Sequence, residues 1–235
     1  MNRRAMFERA VSRPRFERYL KACNGDWKCA RRLYLANLRI SQKLYAIISI
    51  FEVTLRNAID EHYKQRFLQT GESSDWLKSQ SAVSGFLSSP SLAKGGFQSR
   101  ENVRRTIASL GIHYTHDKAV SELSFGFWKY MFATKEFAAA GSTLLRIFTL
   151  RPHGVNHTDV YNRLDSINRL RNRVAHHQPV CFDKTGSVSL TATLEAYSHM
   201  LDILTWLGYD PPILLRGVDG MAAEVRRLKA MAPIF

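Results

Sequence analysis

The sequence predicts an all-α protein, and three observations carry that expectation. Residues 27–67 contain neither glycine nor proline, and their apolar residues recur at three- and four-residue steps. Two later stretches, 160–177 and 191–207, also read as helices. Only one short segment, 180–190, has the turn-centred character of paired strands.

Taken in order, residues 1–26 read as a basic helical arm. In the long helix that follows, Leu33, Leu44, Ile47, Ile48, Phe51 and Leu55 form the core-facing stripe; Ser41 is either a break or a small residue inside one helix. Residues 70–97 hold Gly71, Gly85, Pro90, Gly95, Gly96 and many serines, and read as a loop-rich insertion around short helices. Residues 99–110 return to a helical pattern, with Gly111 as the stop. Residues 117–133 read as one further helix. Its Leu123-Ser124-Phe125-Gly126-Phe127-Trp128 is apolar nearly all round, which predicts burial. Gly126 costs about 1 kcal/mol against alanine there, tolerable where another helix approaches closely. Pro152 and Gly154 mark a loop, Asn156 or Thr158 caps the next helix, and Pro179 ends it. A small β-hairpin turning at Lys184-Thr185-Gly186, then helices over 191–207 and 221–231, complete a single domain over 1–235 without internal repeats.

The chain carries 34 Lys+Arg against 20 Asp+Glu, a formal net charge of +14. A balance this basic is the electrostatic footprint of a nucleic-acid binder, although a solvated basic surface gives the same count. The charge is concentrated: residues 1–39 hold eleven Lys/Arg and three acidic residues. Such an arm can follow phosphates or form the solvated face of an amphipathic helix. Cys23, Cys29 and Cys181 have no zinc-ligand spacing and suit free thiols in a reducing compartment. The opening residues show no apolar signal-peptide core, and the longest apolar run, 46–51, is too short to span a bilayer. A cytoplasmic protein without membrane association, metal or cofactor is the expectation.

The most informative stretch is Leu170-Arg171-Asn172-Arg173-Val174-Ala175-His176-His177. Val160, Leu164, Ile167, Leu170 and Val174 make an apolar stripe, and Arg171 falls where that stripe would pass. Asn168, Asn172 and His176 stand four apart on one face, so the Asn172 amide can orient the His176 ring. Arg171 and His176 lie about 7.5 Å apart along the axis; they converge on one phosphate from flanking directions or with help from a second subunit. A guanidinium, an amide and an imidazole that titrates near neutrality suit phosphodiester cleavage without metal. The same residues also suit an ordinary helix surface. Trp27-Lys28 and Phe127-Trp128-Lys129-Tyr130 offer rings that either stack on bases or fill a core.

Three stretches together carry a resemblance. They are Leu33-Tyr34 and Asn37 leading into Phe51-Glu52-Val53-Thr54-Leu55-Arg56-Asn57; Leu123 to Trp128 as quoted; and the motif run continued through Gln178-Pro179-Val180. In order and spacing the chain resembles the Abi-like (abortive infection) proteins of the HEPN superfamily over most of residues 15–205. The resemblance implies a HEPN-like helical bundle and a metal-independent endoribonuclease toxin of bacterial antiviral defence. It implies a homodimer whose motif helices meet, with Arg171, Asn172 and His176 catalytic and Glu52, Arg56 and His177 supporting. It further implies an RNA substrate, products ending in a 2′,3′-cyclic phosphate, and an antitoxin partner, either a non-coding RNA or a protein. Arg169, Arg173, Lys28, Arg31 and Arg32 are the cations expected to hold RNA. Members often carry glutamate after the paired histidines, where this chain has Gln178. Arg56 and His62 nearly repeat the motif, as a second site or, with Glu52 pairing Arg56, as a brace. The competing reading is a non-catalytic RNA-binding module or regulator using the same basic surface.

Overall fold

A long uninterrupted helix sets the architecture of the computed structural model, which describes residues 3–93 and 99–231. Thirteen α-helices follow in order among the described residues. They are α1 (Arg3–Val11), α2 (Arg13–Ala22), α3 (Trp27–Gln69), α4 (Trp76–Ser81), α5 (Pro90–Ala93), α6 (Ser99–Leu110), α7 (His116–Glu122), α8 (Phe125–Tyr130), α9 (Thr134–Ala139), α10 (His157–Ala175), α11 (Thr191–Trp206), α12 (Pro211–Leu214) and α13 (Met221–Lys229). The all-α class is as the periodicity predicts. Residues 94–98, where Gly95 and Gly96 were expected in a loop, lie outside the described residues, as do 1–2 and 232–235.

α3 runs 43 residues through Ser41 without a break. Its stripe is buried as expected, from Leu33, Leu44 and Ile47 to Phe51 and Leu55. The chain divides into two units. The first comprises residues 1–48, 169–198 and 215–235. Its core gathers Phe16 and Tyr19 of α2, Leu33 and Ile40 of α3, Leu170 and Val174 of α10, and Val180, Cys181 and Phe182 beyond it. Here the expected hairpin is a single antiparallel bridge, Phe182 to Val188, flanked by the Asp183 amide donating to the Ser187 carbonyl at 3.0 Å. The second unit comprises residues 49–168 and 199–214 and centres on Phe51, Tyr63, Trp76, Phe127, Trp128 and Phe132.

Three local expectations are corrected. Residues 117–133 form two helices, because Leu123 and Ser124 are extended (ψ 131 and 155). A segment apolar on every side has no period that would reveal such a break. No close helix approach explains Gly126: a Cβ there would meet only the Ser124 hydroxyl, at 3.5 Å. Nor does Pro179 end α10. The helix stops at Ala175, and His177 in the left-handed region (φ 53) turns the chain. The His177 amide donates to the Val174 carbonyl at 3.1 Å and the Gln178 amide to the Arg173 carbonyl at 2.7 Å, the Schellman arrangement. At the other end Asn156 is the cap: its side chain accepts from the Thr158 and Asp159 amides at 2.8 and 3.1 Å.

Candidate functional site

The motif residues of α10 stand on its last turns because the apolar stripe faces inward. Val160, Leu164, Ile167, Leu170 and Val174 are all buried, which leaves Asn172 and His176 exposed and Arg171 half-buried at the boundary. His176 is the C-cap residue, and its amide still donates to the Asn172 carbonyl at 2.9 Å. The Schellman turn that follows fixes where the chain goes after His176. Arg173 points its guanidinium to the Phe182 carbonyl at 3.2 Å. Arg15 of α2 donates to the carbonyl of His177 at 3.3 Å, so the exposed histidine pair is anchored to the basic arm.

Beneath this turn sits a polar device that sequence reasoning missed. Asn37, 3% exposed, accepts the Val180 amide at 2.8 Å, and Thr193 donates to the Val180 carbonyl at 2.6 Å. Both backbone groups of one buried residue are thereby satisfied by side chains from α3 and α11. The sequence marked Asn37 among the residues of the family resemblance, as an asparagine on the apolar side of a long helix. A buried asparagine needs partners, but nothing in its spacing named Val180.

The remaining expected residues separate. Lys28, Arg31 and Arg32 are exposed on α3, with the Arg31 guanidinium 5.5 Å from the centre of the Phe7 ring. Trp27 packs edge-on to Phe7 at 6.0 Å. Arg169 is exposed on α10. In the second unit, Arg56 donates to the Ser121 carbonyl at 3.4 Å, serving an end of α7 whose last carbonyls have no partner within the helix. Glu52 is half-buried on the same stretch of α3. His62 does not join Arg56: its ring meets the Thr143 hydroxyl at 3.0 Å, in a cavity of about 510 Å³ that Arg66 and Arg146 also line. Burial and then those two guanidiniums hold the His62 ring below its usual pKa. Phe127 and Trp128 are core residues, and Lys129 is buried with them, paired to Asp165 at 2.8 Å and lying 4.5 Å from the Tyr130 ring centre. That aromatic run is therefore not a stacking platform.

A second cluster was also invisible in the sequence. His116 bridges Asp60 at 2.7 Å and Asp75 at 3.0 Å, while the Tyr114 hydroxyl donates to Asp75 and the Trp76 indole to Asp60. Burial opposes charge on the ring, but bonds to the two carboxylates outweigh it and raise its pKa to about 9. The cluster ties α3, α4 and α7 together. Its members bond to one another across those three elements, the work of a structural brace. Among the described residues, no group of three or more His, Cys, Asp or Glu is placed to hold a metal ion. No helix there is long and apolar enough to cross a membrane.

Comparison with protein-family models, curated proteins and solved structures gives no match. The functional reading accordingly rests on the residues themselves.

Proposed function

We propose that this chain is a metal-independent endoribonuclease of the Abi-like, HEPN kind, which arrests bacterial growth in defence against phage. The observation that carries the reading is the end of α10. Arg171, Asn172 and His176 share its last turns, His176 is exposed at the cap, and the chain beyond is held beside a basic helix. In the proposed reaction an imidazole takes the proton of the ribose 2′-hydroxyl as that oxygen attacks phosphorus. The 5′-oxygen leaves with a proton from an imidazolium, giving a 2′,3′-cyclic phosphate and a 5′-hydroxyl. Arg171 stabilises the charge that gathers on the phosphoryl oxygens. Asn172 orients the ring from one turn back. A homodimer would bring two such ends to one substrate, supplying the base and the acid from two copies of His176. An antitoxin, RNA or protein, would restrain the activity in the cytoplasm.

The test is cleavage of RNA by purified protein with EDTA present, paired with growth arrest on expression. Replacing His176 with alanine lowers cleavage by roughly 10²–10⁴-fold, and Arg171→Ala lowers it by roughly 10²–10³-fold. Both variants relieve growth arrest while keeping the wild-type helical signal. Full toxicity in both variants would instead support the non-catalytic RNA-binding reading.

A further inference from the structure

Two cavities of about 570 and 660 Å³ border α2 in the first unit, and they share Pro14 and Arg18 as lining residues. Each falls within the range of sites that take small-molecule ligands, about 300–1,000 Å³. Together they form one groove. The α2 wall presents Arg15, Arg18 and Lys21; the facing wall presents Arg173, Lys184 and the turn through Val188. Among the described residues none of these five cations is ion-paired, whereas Arg39, Lys64, Lys129 and Arg163 each have a carboxylate within 4 Å. Of the two acidic residues that line the groove, both of which count against those five cations, Asp183 turns one oxygen, Oδ1, to its own turn, accepting from the Thr185 and Ser187 amides at 2.8 and 3.0 Å. The other, Glu17, leaves a clear positive excess.

We infer that this groove holds the phosphate backbone of a single RNA strand and leads it to His176. The inference rests on the RNA-directed reading above, though not on its chemistry. Charge lies on both walls, as a polyanion requires. Among the described residues no aromatic side chain lines the groove, and Phe182, 2% exposed with its ring centre 5.6 Å from the Arg18 guanidinium, belongs to the core, so the groove offers no surface for stacking bases and reads charge alone. Along α2 it extends from Pro14 to Ala22, about 12 Å. It ends at Gln178 and Pro179, just past His176, where Arg15 grips the His177 carbonyl. In-line attack by a 2′-oxygen needs a flexible strand, because a regular duplex holds that oxygen out of line with the leaving group. The groove lies apart from Lys28, Arg31 and Arg32, the helix-face cations that the sequence suggested.

The test measures binding of a short labelled single-stranded RNA in the His176→Ala background, so cleavage does not intervene. Arg18→Gln, Lys21→Gln and Lys184→Gln are combined; all three side chains are exposed, and a thermal melt checks the fold. A control triple, Arg104→Gln, Lys118→Gln and Arg146→Gln, removes the same charge in the second unit. The groove triple is expected to weaken binding by roughly tenfold or more and to flatten the log-affinity against log-salt slope by about 2. The control triple should leave both nearly unchanged. Equal effects from the two triples overturn the inference, because net charge alone would then explain binding. Equal or tighter binding of an RNA duplex overturns the single-strand assignment. Absence of cleavage by wild-type protein would remove the nuclease reading yet leave a groove-specific binding loss intact, so the two failures are distinguishable.

Discussion

His177 sits in the left-handed region at φ 53, where a side chain costs roughly 1–2 kcal/mol relative to glycine. The Schellman turn accepts that strain in order to reverse the chain directly after His176. Replacing His177 with glycine should therefore raise stability by about 1 kcal/mol in denaturant melts; a destabilised variant would show that its ring makes compensating contacts. Asn37 gives the opposite case. Its removal as Asn37→Ala strands the buried Val180 amide and should cost about 1–3 kcal/mol, with faster hydrogen exchange at Val180. The two positions differ in legibility. The sequence marked Asn172 and His176 through their four-residue spacing on one face, and Arg171 through its place beside the apolar stripe. It could not show what Asn37 binds or assemble the His116 cluster, because Asn37 and Val180, like Asp60, Asp75 and His116, are distant in sequence and meet only through packing.

At the scale of elements, uninterrupted periodicity was readable and local breaks were not. α3, α6, α10 and α11 fall where the three- and four-residue steps put them. The break between α7 and α8 stayed hidden because it falls within Leu123 to Trp128, which is apolar nearly all round and so has no period to interrupt. α3 is one continuous helix, so Ser41→Pro, which removes a mid-helix bond and clashes with the preceding turn, should cost about 3 kcal/mol or more; a negligible change would mean that α3 tolerates a joint there. The His116 cluster braces α3, α4 and α7, and its pH dependence has a defined sign. The folded pKa of His116 is raised, to about 9. Its contribution is thus fully present below pH 6.5, declines above it, and is gone past about 9. Burial works against their charge, yet hydrogen bonds from His116 and its neighbours hold Asp60 and Asp75 below the usual carboxylate range. The acid-side contribution is present above about 3.8 and fades as pH falls through those depressed values. Stability measured against pH should fall between 6.5 and 9 in the wild type, and that slope should shrink in His116→Gln.

Across the whole molecule the charge of +14 makes every polyanion a partner at low salt, so affinity alone distinguishes little. What distinguishes the account is where the charge stands: unpaired on both walls of the α2 groove, beside the end of the helix that carries Arg171 and His176. Composition announced the excess of cations. Only the folded chain brings residues 15–21 against residues 173–188, which is why the groove was not legible while the motif was. The account's central claim is that one arginine and one histidine at the end of α10 break RNA without metal. The most direct measurement is the chemistry of the RNA ends produced in EDTA by wild-type, Arg171→Ala and His176→Ala proteins. The account predicts 2′,3′-cyclic phosphate ends from the wild type and none above background from either variant. Wild-type amounts of those ends from the His176→Ala protein would contradict it.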